Sequence, residues 1–114
     1  MDELNFNYIP GEVIYEITEE GGLLRYTIVR NHFRYGTYVE LRKIFVDADA
    51  REKGLGKKMT NQLIKIAQGL EIKNIYCRSS ATHEEIFGKF MDAMKFKRIP
   101  QVDGVVAFEF VKHI

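Results

Sequence analysis

IFVDADAREKGLGKKM, residues 44–59, is the stretch on which the fold turns. An apolar triplet, Ile44-Phe45-Val46, ends a strand. A polar connection follows, and Arg51-Glu52-Lys53-Gly54-Leu55-Gly56 opens a helix. The first turn of any helix carries backbone N–H groups with no internal partner, and the helix dipole adds partial positive charge at the same end. Together they attract anions, phosphate above all. Gly54 and Gly56 remove side chains that would keep a phosphate from the backbone, and Arg51, Lys53, Lys57 and Lys58 add charge. The plainer reading is a lysine-rich exposed helix start with two incidental glycines. Each glycine costs roughly 1 kcal/mol relative to alanine there, which argues for a purpose. A Walker loop is excluded, because Arg51 and Lys58 stand where it needs glycine and Ser or Thr. The dinucleotide fingerprint is excluded too: its third glycine is missing and no βαβ unit precedes.

Upstream, the pattern is that of strands. Val13, Tyr15 and Ile17 alternate with polar residues, as do Leu24, Tyr26 and Ile28, with a turn at Glu19-Glu20-Gly21-Gly22. Asn31 to Gly36 reads as a loop, and Thr37 to Val46 as a third strand with Val39, Leu41 and Phe45 on one face. Downstream the period becomes helical. Leu55, Met59, Leu63, Ile66, Ala67 and Leu70 share a stripe, with Gly69 as the stop. Ile72 to Arg78 reads as a buried strand. Thr82 and Glu85 form a capping box before a second helix with Ile86, Phe87, Phe90, Met91 and Met94 inward. A hairpin turning at Val102-Asp103-Gly104 closes the chain. The order β-β-β-α-β-α-β-β predicts an α+β fold, a mixed sheet with two helices.

Composition bounds the rest. At 114 residues, 46% apolar and 29% charged, the chain reads as one domain spanning 1–114. It buries roughly two thirds of its unfolded surface and needs no disulfide or metal. Seventeen Lys and Arg against sixteen Asp and Glu give a net charge of +1, with no pull toward nucleic acid. The single cysteine, Cys77, excludes a disulfide framework and a multi-cysteine zinc site, and suits a reducing compartment. No apolar run approaches the ~20 residues of a membrane span, and the N-terminus lacks a signal-peptide pattern, so a cytoplasmic protein is expected.

Arg51-x-x-Gly54-x-Gly56 resembles the Q/R-x-x-G-x-G/A coenzyme A motif of the GCN5-related N-acetyltransferases (GNAT). Glu40 to Val46 is similar to that family's fourth strand, and Phe90 to Phe96 to its FYEKLGF-like segment. The resemblance implies a GNAT-like fold with splayed central strands and acetyl-CoA as cofactor. Ile44, Phe45 and Val46 would offer backbone groups to the pantetheine arm. Arg51, Glu52, Lys53, Gly54, Leu55, Gly56 and Lys57 would hold the pyrophosphate. A primary amine, on a small molecule or a protein, would attack the thioester directly. A lysine-like amine, pKa ~10.4, costs about 4.6 kcal/mol to deprotonate at pH 7, whereas a thiol sits about 1.5 units from neutral. A base therefore has more to supply than an acid. The resemblance implies Glu40 as that base, acting through water; the plainer reading is a strand carboxylate paired with Arg42.

The chain departs from the family pattern in three places. Met91 replaces the usual tyrosine acid, and Met91 donates no proton. Lys95 replaces a glycine, and the asparagine after the fifth strand is not evident, with His83 and Glu84 in that neighbourhood. Ser79, Ser80 and His83 are alternative proton donors whose plainer role is helix-entry polarity. His32 and His113 read as surface residues, and Cys77 with the methionine stripe as core. Tyr26, Tyr35 and Tyr38 line either an acceptor groove or an ordinary half-buried strand face. About ten residues precede the first strand, too few for two further helices, so the acceptor side is expected to be open or closed by a second copy in a homodimer. Two other functions stand beside the transferase: a non-catalytic (acyl-)CoA-binding module, and a protein that engages a partner directly.

Overall fold

Alternating apolar residues build three antiparallel strands, β1 (Tyr15–Glu19), β2 (Gly22–His32) and β3 (Gly36–Val46). The computed structural model describes residues 12–33, 35–51, 53–80, 84–99 and 107–114, and only the backbone course of 78–80, 84–87 and 107–110. One turn of 3-10 helix, Ala48–Ala50, leads to helix α1 (Leu55–Gly69). Then come β4 (Asn74–Ser80), α2 (Glu84–Ala93), β5 (Lys97–Ile99) and β6 (Ala107–His113). The expected order of elements holds. The turn at 102–104 and the Thr82 capping position lie outside the described residues.

The six strands form one sheet in the order β1-β2-β3-β4-β6-β5. β3 and β4 are parallel, and every other pair is antiparallel. β6 lies between β4 and β5, a crossover that a reading of consecutive elements does not reveal. The loop expected over Asn31 to Gly36 is shorter, because both strands run on to His32 and from Gly36.

Helix α1 buries Met59, Leu63 and Ala67, spaced four apart, against Leu24, Val39, Leu41 and Ile75 of the sheet. Each of those side chains larger than Ala67 is worth ~1.5–3 kcal/mol when fully buried. Met91 and Met94 of α2 complete the same cluster.

Both helices end in the same left-handed motif. After α1, the Ile72 amide donates to Ala67 O at 2.9 Å and the Glu71 amide to Gln68 O at 3.0 Å, with Glu71 at φ +60°. After α2, the Phe96 amide donates to Met91 O at 2.9 Å and the Lys95 amide to Asp92 O at 3.0 Å, with Lys95 at φ +64°. The turning residue is normally glycine. Gly69, expected as the stop of α1, is its last helical residue, and Glu71 makes the turn instead. Lys95 stands at the same turning position after α2, where glycine is the usual residue.

Candidate functional site

A bulge in β3 shapes the site. Arg25 pairs with Lys43 and Tyr26 with Leu41, so Arg42 is the extra residue. A bulge reverses side-chain parity and bends its strand. Val39 and Leu41 face the core, but past Arg42 the inward residue is Ile44, and Phe45 is 47% exposed. The expected common face of Val39, Leu41 and Phe45 is broken there. The partner strand changes at the same place. β3 pairs with β4 only from Val39↔Ile75 to Leu41↔Cys77. Beyond, β3 stays with β2 as far as Val46, while β4 stays with β6 as far as Ser80. A V-shaped gap opens between 42–46 and 78–80, and among the described residues no strand pairs with the β4-side edge of Ile44, Phe45 and Val46.

The open end of the gap lies beside the start of α1. The Asp47 amide donates to Gly21 O at 2.8 Å, which ties the loop after β3 to the β1–β2 turn. Gly21, at φ +83°, is in close contact there: a Cβ on it would fall 2.8 Å from Ala50 Cβ. Arg51 Nε reaches Val46 O at 3.3 Å, placing an exposed guanidinium over the end of β3. Gly54 caps α1 at φ +76° and ψ +13° with no side-chain cap, and nothing would lie within 4 Å of a Cβ on it. The first intrahelical bond runs from the Lys58 amide to Gly54 O at 2.9 Å. The amides of Leu55, Gly56 and Lys57 precede it and have no carbonyl of the helix to bond. Lys53 and Lys57 are exposed close by, and Glu52 lies outside the described residues.

Two residues of this motif do other work than expected. A Cβ on Gly56 would point inward, 3.2 Å from Phe90 Cε1 and 3.7 Å from Ile44 Cδ1. Gly56 thus lets α1 close on α2 and β3, while a Cβ on Gly54 would stand in open space. Lys58 turns away from the helix mouth: its Nζ is 2.9 Å from Glu19 Oε1, and Gln62 Nε2 donates to Glu19 Oε2 at 3.0 Å. Those two donors hold the Glu19 carboxyl below the usual glutamate range.

Glu40 is at the closed end of the gap, on the face of the sheet away from α1. Its partner across the last paired stretch of β4 is Tyr76. Arg42 pairs with the Glu40 carboxylate through Nε and with Glu12 through Nη2, donating a hydrogen bond to Glu12. The Nε contact to Glu40 is off the hydrogen-bond direction, which leaves that buried Nε–H unsatisfied. The plainer reading of Glu40 as an ion-paired carboxylate therefore holds as geometry, with two carboxylates sharing one guanidinium. Thr27 Oγ1 donates to Val13 O at 2.7 Å and draws residues 12–14 across this outer face.

The same face carries connected rings that the sequence reading left as separate tyrosines. Tyr76 lies 4.8 Å, centroid to centroid, from both Tyr35 and Tyr38. His32 stacks on Tyr35 at 5.1 Å and on Phe33 at 4.8 Å. Tyr76 was findable, since Ile75 and Cys77 point inward and strand alternation sends the residue between them outward. Tyr26, by contrast, is buried in the core and stacks on Tyr15. His32 is half-buried in this cluster, not a bland surface residue. Burial first, then the Glu40 charge, hold the Tyr38 phenol above its usual range.

Cys77 and Met91 are core residues, at 4% and 0% exposure. Ser79 and Ser80 end β4, and their side chains, like His83, lie outside the described residues. His113 is exposed and hydrogen-bonds Asn74. Among the described residues, no helix is long and apolar enough to cross a membrane.

A family model described as Acetyltransferase (GNAT) family matches residues 4–87. No curated protein matches the sequence. Among solved structures, the chain is similar to NAA60 of Arabidopsis thaliana in complex with a bisubstrate analogue, with a TM-score of 0.69, 21% identity, and coverage of 82% of this chain and 64% of that one. It is similar to the PaiA N-acetyltransferase of Thermoplasma acidophilum in complex with coenzyme A, with a TM-score of 0.67, 19% identity, and coverage of 82% and 53%. An acetyltransferase from Thermus thermophilus gives a TM-score of 0.69 at 16% identity, over 96% and 69% of the two chains. These likenesses are of fold, and the chain spans under two thirds of the length of the first two.

Proposed function

Since the chain belongs to the GNAT family of acetyltransferases, its match covering residues 4–87, we propose that it is an acetyl-CoA-dependent N-acetyltransferase that passes the acetyl group directly to a primary amine. One observation carries the reading: β3 and β4 part after Leu41 and Cys77, and the gap opens toward the start of α1. The unpaired edge at Ile44, Phe45 and Val46 suits the amide-bearing pantetheine arm as an added strand would. The amides of Leu55, Gly56 and Lys57, with the open left-handed cap at Gly54, suit a pyrophosphate, and Arg51, Lys53 and Lys57 add positive charge. When bound, acetyl-CoA supplies an activated thioester. The chain holds that thioester at the gap and admits an amine from the outer face. Glu40 accepts the amine's proton, directly or through one water, while Arg42 fixes the carboxylate. Met91 is buried and carries no proton, so the departing thiolate takes its proton from water or from another group, Ser79, Ser80 and His83 being the candidates.

That last substitution favours a second reading, a module that binds coenzyme A without turnover. One experiment separates the two. The protein is mixed with acetyl-CoA and a panel of amines, thiol release is followed, and coenzyme affinity is measured by calorimetry. The transferase reading expects turnover that falls about 100-fold or more in Glu40→Gln with acetyl-CoA affinity unchanged. Tight coenzyme binding with no turnover on any amine supports the binding module instead.

A further inference from the structure

We propose that Phe90 is a positioning residue for coenzyme binding: acting through Gly56, its ring sets how far the first turn of α1 stands from the edge of β3. The proposal rests on the coenzyme half of the function proposed above and adds to it a residue outside the helix-mouth motif. A Cβ on Gly56 would fall 3.2 Å from Phe90 Cε1, 3.4 Å from Phe90 Cζ and 3.7 Å from Ile44 Cδ1, the nearest atoms among the described residues. Three elements therefore meet at Gly56. One is the helix whose free amides suit the pyrophosphate, one is the strand whose unpaired edge suits the pantetheine arm, and the third is α2, which carries Phe90.

Neither side of this contact has room to give. Phe90 is half-buried against the core cluster, its neighbour Met91 is fully buried, and the Met94 amide donates to Phe90 O at 3.0 Å. On the helix, the fully buried Thr60 donates its hydroxyl to Gly56 O at 2.8 Å. Leu55, one residue earlier and about 100° round the helix, lies against the β1–β2 turn. A Cβ on Gly22 would fall 2.8 Å from Leu55 Cδ2 and 3.0 Å from Met59 Cε. Two contacts about 100° apart fix the start of a helix across its axis. The coenzyme needs that fixing, because its pyrophosphate and its arm are one molecule. It gains from both sites at once only where their spacing matches its own. A methyl group at Gly56 overfills the contact, and the helix mouth yields by moving off Phe90 and out of that spacing.

The test uses wild type, Gly56→Ala, Phe90→Leu and the double variant. Each is titrated with coenzyme A by calorimetry, melted, and followed for initial rates with acetyl-CoA and a panel of amines. Gly56→Ala is expected to raise Kd for coenzyme A about 5–20-fold. Its melting midpoint is expected within about 5 °C of wild type, since alanine's helix preference offsets the strain. Phe90→Leu removes the stop and is expected to raise Kd about 3–10-fold. The double variant, in which leucine leaves room for the methyl group, is expected to bind within about threefold of wild type. A mouth harmed by the methyl group itself shows no such rescue. In turnover, KM for acetyl-CoA should follow the same pattern, with KM for the amine within about twofold throughout. Wild-type affinity in Gly56→Ala, or a double variant that binds no tighter than Gly56→Ala, overturns the proposal, while turnover by wild type still upholds the transferase reading. The expected pattern of affinities with no turnover on any amine supports the positioning role and overturns the transferase reading. A folded wild-type protein that binds no coenzyme A overturns both.

Discussion

Gly54→Glu is the sharpest perturbation of the helix mouth. Gly54 sits at φ +76°, and nothing lies within 4 Å of a Cβ built there, so the new side chain would enter open space at the start of α1 without a clash. Left-handed backbone costs a non-glycine residue ~1–2 kcal/mol, and stability falls by that amount. Affinity falls for a separate reason. A carboxylate about 7 Å from a phosphate charge is repelled by roughly 0.6 kcal/mol at a dielectric of 80 and about 2.4 at 20. Two phosphate charges double that to ~1–5 kcal/mol, and a loss of coenzyme A affinity of about tenfold or more is expected at low ionic strength. Two controls separate strain from charge. Gly54→Ala carries the strain alone, and its affinity is expected within about threefold of wild type. Gly36→Ala, at φ +70° and also free of neighbours, calibrates the strain far from α1. Calorimetric titration with coenzyme A at low and high salt, with thermal melts of each variant, gives the answer. The Gly54→Glu deficit should shrink as salt rises. A folded Gly54→Glu variant that binds coenzyme A as wild type does at low salt refutes the placement of the pyrophosphate on these amides.

Three further expectations follow from packing and charge. Gly21→Ala combines left-handed strain with a Cβ 2.8 Å from Ala50 Cβ, so it should lose ~2–5 kcal/mol in denaturant unfolding and weaken coenzyme binding by displacing the 48–50 turn. Lys95→Gly relieves a left-handed residue at the end of α2 and should raise stability by about 1 kcal/mol, read as a higher urea midpoint. Glu19 has its pKa lowered by its Lys58 and Gln62 hydrogen bonds; its contribution is present above the ordinary glutamate value of about 4.3 and is lost as pH falls through the folded value. Melting temperatures should therefore fall less steeply with acid in Glu19→Gln than in wild type, and equal slopes would show that the pair holds nothing.

Much of the fold was legible because its signals are local. Alternation marked β1 to β3, the change to helical spacing marked α1, and glycines beside cations marked the helix mouth and with it the family. Strand and helix order follow from such short-range patterns, which each residue carries wherever the chain goes. The closing crossover, with β6 between β4 and β5, does not, since it pairs residues with no fixed spacing.

The candidate site divides in the same way. Residues 51–57 announced a helix start with unpaired amides, because such amides belong to any helix start. What Gly56 faces, which carboxylate holds Lys58, and that Arg42 joins Glu40 to Glu12 depend on chain segments brought together by folding. The bulge at Arg42 matters most. It reverses the inward face of β3 in mid-strand, and β3 and β4 part at that same point. Strand periodicity is blind to it, because a bulge is set by the register of the partner strand. The amino-acid order alone therefore determined the elements, the helix mouth and the family. Only the tertiary structure decided where the sheet opens, what surrounds Glu40 and which rings stand beside it, since each is a contact between residues far apart in the chain.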